Sequence, residues 1–366
     1  MIKLSVPDIG EEEIEEIKKV LESGWLVQGD KVYEFENMVK NYIGVKHVLA
    51  VSNGTAALHL ALLALDVSQK DEIIVPDFTF PATANVVEIV GAKCQFVDVD
   101  ISTFNIDPDR IINKITEKTK AIIVVHEFGC PAQMDKIMEI AEKYSLKVIE
   151  DAACALGSEF NGKKVGTIGH VGCFSLHPRK NITTGEGGLV VTNDDKIAEK
   201  VSLLRNHGIK IRNGKVNFEI AGLNYRLTNI QGAIGIVQMR KLESIIQKRK
   251  LLAEVYANFL KEIPWIKLPH EPFYGRHIWQ TYHVLLDERV DRNSLIDYLR
   301  TNGIESNYGA YAVHREPYYK RKYNLQDRDY KNSIISADYG LALPMHSKLN
   351  YDDVVYISKK LKEYEF

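Results

Sequence analysis

The sequence predicts an α/β protein with two units, a large domain built on a mostly parallel β-sheet with helices on both faces and a smaller α+β domain. Through the first two thirds of the chain, short Val- and Ile-rich runs such as EIIVP and AIIVVHE alternate with helical stretches such as MDKIMEIAEKY. Apolar strands that are each followed by a helical period are typical of parallel strands buried on both faces. After Asn229 this alternation gives way to a long helical stretch and then to a different pattern.

The change of pattern also predicts the domain boundary. We expect residues 1–245 to form the large domain and residues 246–366 to form the small one, with the boundary inside the long helical stretch. An amphipathic helix is expected from Glu11 to Ser23, in EEEIEEIKKVLES, and we expect it to pack near the small domain.

Composition and charge exclude several classes of protein. The 366 residues are 45% hydrophobic and 26% charged, a balance that is typical of globular proteins and excludes a disordered or fibrous chain. The net charge is −2, without a long block of one sign, so we do not expect nucleic acid as a partner. The start of the sequence lacks the pattern of a leader, and no apolar run approaches the ~20 residues of a membrane span. We therefore expect a cytoplasmic protein without membrane contact.

The cysteines give no sign of cross-links or metal. Cys94, Cys130, Cys154 and Cys173 lie far apart and show no CxxC spacing. This arrangement predicts neither a disulfide framework nor a zinc site. We expect reduced, mostly buried thiols and no bound metal.

The first candidate site is the turn between a strand and a helix in AVSNGTAALHLALLAL. The strand is expected to end at Ser52, Asn53 and Gly54 to form a tight turn, and the helix to begin near Thr55. The free N–H groups and the positive end of that helix then point toward the carboxyl edge of the sheet, where a phosphate would bind well. An ordinary capped turn explains the same residues.

The second candidate site is an acidic strand end in KVIEDAACALGS, which contains Glu150 and Asp151 among small apolar residues. An acid in such surroundings is costly to bury unless a cation pairs with it. A protonated pyridine nitrogen would be a suitable cation. A structural ion pair or a helix cap is the alternative interpretation.

The third candidate site is Lys180 in FSLHPRKNITTGEGG, which lies between an apolar strand and a glycine turn. The glycines allow close approach of the backbone, and Ser175 and the neighbouring threonines supply hydroxyl groups. We expect desolvation to make the amine of Lys180 neutral and nucleophilic, as Schiff-base chemistry with an aldehyde requires. If the motif stood alone, a lysine on a surface loop would be the preferred interpretation.

Taken together, these motifs resemble the sugar-nucleotide aminotransferases of the DegT/DnrJ/StrS type. The order and approximate spacing of that family are kept by SNGTAALHLAL, PDFTFPATANVV, EDAACALG, FSLHPRKNITTGEGG, RNHG and GLNYRLTNIQGAIG. The resemblance extends from SGWLVQGDKVYEFE near the start to LALPMHSKLNYDD near the end. It implies fold type I of the enzymes that depend on pyridoxal 5′-phosphate (PLP), with a large mostly parallel α/β/α sandwich and a smaller α+β domain.

The resemblance also implies roles for single residues. Lys180 matches the lysine that holds PLP as an internal aldimine and moves the proton during catalysis. Asp151 matches the acid that pairs with the pyridine nitrogen, so that the ring acts as an electron sink. Phe80 matches the aromatic residue that stacks on the ring, although a core phenylalanine would fit the same pattern. The residues expected to bind the cofactor phosphate are Gly54, Thr55, Ala56 and Ser175.

Two further positions concern the cofactor. Asn224, in GLNYR, resembles a residue that contacts the phosphate from the neighbouring subunit, which implies a homodimer with shared active sites. Cys154 stands where the family usually has glutamine or histidine near the phenolic oxygen of the cofactor. Because a thiol is a weak hydrogen-bond donor, this contact is either weaker here or made by another group. The alternative for Cys154 is a small buried filler.

The substrate is expected beside YGAYAVHREPYY, where Tyr311 and His314 match a tyrosine/histidine segment of the family. A histidine that is satisfied within the fold is the alternative for His314. For RNHG, residues 205–208, we expect a structural role.

The resemblance implies transfer of an amino group from glutamate to the keto group of a sugar linked to dTDP, UDP or GDP, in two half-reactions. Three alternatives share the fold. Dehydratase relatives remove oxygen from C3 of a nucleotide sugar and carry histidine in place of the lysine, whereas this chain has Lys180. A binding protein would be expected to lose Lys180, Asp151 or the glycine turn, which are all present. An aminotransferase for cyclitols stays open.

Overall fold

The computed structural model describes all 366 residues, and twelve α-helices and seventeen β-strands account for most of them. The helices are α1 (Glu11–Ser23), α2 (Asp30–Ile43), α3 (Gly54–Ala64), α4 (Ala82–Ile89), α5 (Pro108–Ile111), α6 (Met134–Lys143), α7 (Asp195–Arg205), α8 (Asn229–Leu260), α9 (Arg292–Thr301), α10 (Pro317–Tyr323), α11 (Lys331–Tyr339) and α12 (Tyr351–Lys362). The strands up to residue 192 are β1 (His47–Val51), β2 (Glu72–Pro76), β3 (Phe78–Thr79), β4 (Lys93–Val97), β5 (Thr119–Val125), β6 (Lys147–Asp151), β7 (Glu159–Phe160), β8 (Lys163–Lys164), β9 (Val171–Ser175) and β10 (Gly188–Thr192). The later strands are β11 (Ile209–Arg212), β12 (Lys215–Phe218), β13 (Ile266–Lys267), β14 (Gly275–Arg276), β15 (Tyr282–Leu286), β16 (Tyr311–Ala312) and β17 (Gly340–Leu343).

The main sheet has seven strands in the order β1-β10-β9-β6-β5-β2-β4. All its pairings from β9 to β4 are parallel, and only β10 runs against its two neighbours. The predicted α/β fold with a mostly parallel sheet is therefore confirmed. The parallel strands bring their carboxyl ends to one edge of the sheet, which is where ligands bind in open α/β folds.

Helices cover both faces of this sheet, because its strands are apolar on both sides. Along β5, Ile122 and Val124 pack with α2, α6 and the first half of α8, whereas Ala121 and Ile123 pack on the opposite face with α3, α4 and α7. Burying an aliphatic side chain of this size stabilises the fold by about 1.5–3 kcal/mol. The continuous Val and Ile runs are thus explained by burial on two faces.

Helix α8 is a single helix of 32 residues. Its start is capped by Thr228, whose side chain accepts a hydrogen bond from the backbone N–H of Gln231 at 3.3 Å. Residues up to Ile246 belong to the core under the large sheet, and residues from Leu252 onward belong to the core of the carboxyl-terminal domain. This distribution supports our proposal of a domain boundary near residues 245 and 246, inside the helix.

The carboxyl-terminal domain contains an antiparallel sheet in the order β13-β15-β17. Its core contains Tyr256 from the second half of α8, Leu299 from α9 and Ile357 from α12. However, part of this domain packs on the large one. Strand β16 pairs with β3, and the buried rings of Tyr319 and Tyr330 belong to the core on the α3 face of the large sheet. The two domains are therefore joined at several places besides α8.

The amino-terminal helix packs mainly on the first half of α8. The buried carboxylate of Glu13 accepts hydrogen bonds from Gln238 at 2.7 Å and from Lys241 at 2.8 Å. The residues before α1, and not α1 itself, pair with the carboxyl-terminal domain, since the N–H of Ile2 donates to the carbonyl of Gly303 at 2.7 Å. No helix combines the length and the apolar character that crossing a membrane would require.

Candidate active site

A cavity of about 650 Å³ opens at the carboxyl edge of the large sheet, beside the carboxyl-terminal domain. This volume suits a small organic ligand. The cavity brings together eight of the site residues predicted from the sequence. They are Gly54, Thr55, Ala56, Phe80, Asp151, Cys154, Ser175 and Lys180.

One end of the cavity is formed by the amino end of α3. The side chain of Asn53 caps this helix by accepting a hydrogen bond from the N–H of Ala56 at 2.8 Å. A Cβ atom at Gly188 would lie 2.3 Å from the carbonyl oxygen of Asn53, so only glycine permits this approach of β10 to the turn. Gly54 similarly lies against Ser175. The turn is therefore capped, and it also presents a helix amino end and hydroxyl groups to the cavity, as a phosphate would require.

Asp151 lies at the end of β6 and is buried in the wall of the cavity. Its carboxylate accepts a hydrogen bond from the hydroxyl of Thr83 at 2.8 Å and one from the N–H of Ala153 at 3.2 Å. Burial raises the pKa of Asp151, although these donors and the charges of Lys180 and His126 act in the opposite direction. No salt bridge neutralises this acid, so a cationic ring nitrogen would meet a carboxylate that lacks a charged partner.

The neighbouring acid, Glu150, has a structural role. It points to the other side of the sheet, where its carboxylate faces the ring of His126 at 2.9 Å. The same carboxylate accepts hydrogen bonds from the N–H groups of Gly166 at 2.6 Å and Ile168 at 2.7 Å. The structural role proposed as an alternative therefore describes Glu150, whose contact with His126 is a hydrogen bond because Nδ1 of that ring accepts from the N–H of Ala132, whereas Asp151 faces the cavity.

The amine of Lys180 points into the cavity and donates a hydrogen bond to the sulfur of Cys154 at 3.0 Å. Lys180 is therefore not a lysine of the exposed surface. Burial disfavours its charged form, but Cys154, Asp151 and Glu127 favour that form, and together they raise the pKa of the amine. Burial also raises the pKa of the Cys154 thiol, which stays protonated at neutral pH, so the charge of Asp151 accounts for much of this effect.

The surroundings of Lys180 thus differ from those expected from the sequence, and a neutral amine during catalysis stays a prediction. The prediction considered only the residues that lie near Lys180 in the sequence. The fold adds Cys154 as a hydrogen-bond partner and Asp151 from β6 as a nearby acid, and both act against the effect of desolvation.

Phe80 lies at the rim of the cavity, and the residue is 64% exposed, so it is not the core phenylalanine that was the alternative. Its ring approaches that of Tyr311 with a centroid distance of 6.4 Å in an edge-to-face arrangement. Tyr311 itself does not line the cavity, and a role in substrate binding stays a prediction for this residue.

His314 is buried and does not line the cavity. Its Nδ1 atom lies 2.6 Å from the carboxylate of Asp77, and its Nε2 atom lies 3.3 Å from that of Asp327. Burial lowers the pKa of His314, but the two acids outweigh it and raise the pKa overall. Both ring nitrogens are thus engaged within the fold. The prediction that His314 contacts the substrate is corrected to a structural role, because β16 and its pairing with β3 fix the segment against the large domain.

Asn224 also lies outside the cavity and is exposed. It follows the hairpin of β11 and β12, whose apolar side chains Ile211, Val216 and Phe218 are exposed as well. Such a group of exposed apolar residues is typical of a contact surface. A role of Asn224 toward a second subunit stays a prediction.

The cavity also contains residues that the sequence motifs did not single out. Glu127 follows β5, and its side chain is buried in the cavity wall close to Lys180 and Asp151. The signal was present in AIIVVHE, because an acid at the carboxyl end of a parallel strand is the pattern that identified Asp151. Gln280 and Asn307 come from the carboxyl-terminal domain, and no local pattern connects them to the site.

Comparisons with known proteins agree with this geometry. A family model described as the DegT/DnrJ/EryC1/StrS aminotransferase family matches residues 7–362. The GDP-perosamine synthase of Caulobacter vibrioides is 39% identical over 357 residues, which cover 96% of this chain and 95% of that protein.

Solved structures show the same similarity. PseC of Helicobacter pylori, described as an aminotransferase involved in pseudaminic acid biosynthesis, superposes with a TM-score of 0.94 at 30% identity and covers 99% of this chain and 98% of its own. The PLP-form of Spr1654 from Streptococcus pneumoniae, described as a putative sugar aminotransferase, superposes with a TM-score of 0.93 at 29% identity, with coverages of 99% and 97%.

Proposed function

Because this chain belongs to the DegT/DnrJ/EryC1/StrS aminotransferase family, we propose that it uses PLP to transfer the amino group of glutamate to the keto group of a nucleotide-linked deoxysugar. The observation that carries the proposal is the presence of Lys180 and Asp151 in one cavity, where Asp151 is buried without a salt bridge. The similarity to a GDP-perosamine synthase over nearly the whole chain supports a nucleotide sugar as the substrate. We also propose that the enzyme acts in the cytoplasm.

The residues of the cavity fit PLP. Gly54, Thr55 and Ser175 would hold the phosphate at the amino end of α3, and Asp151 would pair with the protonated ring nitrogen. Phe80 would cover one face of the ring, and Lys180 would bind the aldehyde carbon. When bound, PLP supplies an electron-withdrawing ring that stabilises the negative charge developing on the carbon next to the amine.

Lys180 is the group that moves protons. In the first half-reaction its neutral amine would remove a proton from Cα of glutamate, and in the second its ammonium form would deliver a proton to the sugar carbon that receives the amine. In the ligand-free chain the charge of Asp151 favours the ammonium form of Lys180. Pairing of Asp151 with a cationic ring nitrogen would remove much of that attraction, so cofactor binding itself would favour the neutral amine.

An assay of amino-group transfer to a panel of keto sugars tests the proposed activity. The purified protein, supplied with PLP and glutamate, is expected to convert at least one member of a panel of 3-keto and 4-keto deoxysugars linked to dTDP, UDP or GDP. Mass spectrometry would detect the amino sugar and an equal amount of 2-oxoglutarate. A reaction without glutamate is the control, and keto-cyclitols in the same panel would identify the alternative substrate class. Turnover of cyclitols alone, or of no keto compound, would contradict the proposal.

We further propose a homodimer in which Asn224 of one subunit completes the site of the other. The exposed position of Asn224 and the apolar residues of the neighbouring hairpin support this arrangement. Mixing an inactive Lys180→Ala variant with an impaired Asn224→Ala variant is expected to restore activity, because one of the two sites in a mixed dimer would contain both native residues. At random exchange, about half of the dimers are mixed and each has one intact site, so about a quarter of wild-type activity is expected.

The mixing experiment needs proof that subunits exchange. Differently tagged wild-type chains, co-purified after the same incubation, would provide it. Exchange without any gain in activity would show that Asn224 acts within its own subunit or has no role at the site.

A further inference from the structure

Glu127 is a buried acid of the cavity to which the proposed function gives no role, and the inference drawn from it rests on the proposed use of PLP. This residue is 4% exposed and lines the cavity, and its Oε2 atom has no hydrogen-bond partner in the chain. A buried polar atom without a partner is rare in folded proteins and calls for an explanation. We propose that Glu127, in its protonated form, donates a hydrogen bond to the phenolic oxygen of PLP, the contact for which Cys154 is a weak donor.

The substitution pattern of the PLP ring indicates on which side of the cavity the phenolic oxygen would lie. The phenolic oxygen of PLP is attached to the ring carbon next to the one that carries the aldehyde, and the ring nitrogen lies on the opposite side. Lys180 marks the aldehyde side of the cavity and Asp151 marks the nitrogen side. Cys154, in contact with the amine of Lys180 at 3.0 Å, is on the aldehyde side. Glu127 lines the same cavity and follows β5, whose last residue, Val125, pairs with Asp151 of β6.

The backbone holds Glu127 in this position. Its N–H donates to the side-chain oxygen of Asn105 at 2.8 Å. The next residue, Phe128, has a φ of 57°, in the left-handed region that non-glycine residues seldom adopt, and its ring stacks on His283 at a centroid distance of 4.4 Å. A conformation of this kind persists only where the surroundings stabilise it, so the fold holds the backbone from which the side chain of Glu127 extends.

The protonation state of Glu127 agrees with a donor role. Burial and the charge of Asp151 raise its pKa to about 8, whereas Lys180, the N–H of Phe128 and the hydroxyl of Thr79 act in the opposite direction. At neutral pH the side chain is therefore a carboxylic acid with an O–H group. An ionised carboxylate could only accept hydrogen bonds, and it would repel a negatively charged phenolic oxygen.

Three variants test the proposal through PLP affinity and the visible absorption of the PLP-loaded protein between pH 6 and 10. Glu127→Leu is expected to bind PLP about tenfold more weakly and to show a shifted absorption band, because the donor is lost. Glu127→Gln keeps an N–H donor of similar shape, so it is expected to retain the affinity. Glu127→Leu combined with Cys154→Gln returns a donor at position 154 and is expected to recover most of the affinity.

The pH dependence gives a second measurement. In the wild type, affinity is expected to fall as the pH rises through about 8, because Glu127 loses its proton there, whereas Glu127→Gln is expected to lack this step. An unchanged affinity and spectrum in Glu127→Leu would overturn the proposal. If Glu127→Leu did not fold, a wild-type pH step that persists in Glu127→Gln would overturn it instead. A wild type that binds no PLP would contradict the proposed function, and the two failures are thereby distinguished.

Discussion

Replacement of Lys180 by alanine is expected to lower the rate of amino transfer by about 10⁴-fold or more. Lys180 is proposed both to bind the cofactor covalently and to move the proton at the reacting carbon, and proton transfer alone contributes up to about 10⁴-fold in enzymes. Its amine already lies inside the cavity, in contact with Cys154 at 3.0 Å. The measurement is the initial rate of amino-sugar formation at saturating glutamate.

A chemical measurement separates the two roles of Lys180. Reduction of the PLP-loaded wild type with borohydride, followed by peptide mass spectrometry, is expected to find PLP attached to the peptide that contains Lys180. The Lys180→Ala variant is expected to show no such attachment. Lys163, an exposed residue of β8 outside the cavity, provides the matched control, and Lys163→Ala is expected to keep both activity and attachment. Attachment to a different lysine would contradict the assignment.

Replacement of Asp151 by asparagine is expected to lower the rate about 10²- to 10³-fold, because the amide has the shape of the acid but cannot hold a proton on the ring nitrogen. The variant is expected to fold. Burial raises the pKa of Asp151, so its ionised form destabilises the ligand-free protein at every pH above the usual value for aspartate, and the amide does not have this cost. Urea unfolding at pH 7 is therefore expected to show equal or higher stability.

Glu150 gives a matched comparison, since it is the preceding residue of the same strand and faces away from the cavity. Its carboxylate accepts hydrogen bonds from Gly166 and Ile168 and pairs with His126. Glu150→Gln is expected to lose about 2 kcal/mol of unfolding free energy and to retain most of its rate when folded. If Asp151→Asn lost stability and kept its rate, the two assignments would be reversed and the proposed pairing would be wrong.

The fold of the large domain was predictable from the sequence because burial determines its pattern. Strands such as β5 are covered on both faces, and this requires the Val and Ile runs that the sequence displays. The antiparallel direction of β10 could not be predicted from the sequence, because a strand buried on two faces has the same composition in either direction. The packing of Tyr319 and Tyr330 on the large domain was equally hidden, because it depends on partners more than 200 residues away in the chain.

The candidate site likewise has some features that the sequence predicts and others that it does not. Lys180 and Asp151 belong to local motifs with recognisable surroundings, and the structure brings both into one cavity. The protonation state of Lys180 was not predictable, since it depends on acids that arrive from other strands. For His314, in contrast, a local motif predicted a contact that the fold does not make. A local motif placed it near the substrate, whereas Asp77 and Asp327 engage both nitrogens of its ring within the fold.

Helix α8 has a consequence for how ligands enter. It passes from one domain into the other as an unbroken helix, and the pairing of β16 with β3 joins the same two domains at a second place. We therefore expect the two domains to keep their relative position while substrates exchange. Glutamate and a bulky sugar nucleotide would then have to enter through the same mouth of the cavity, where Phe80 is exposed at the rim.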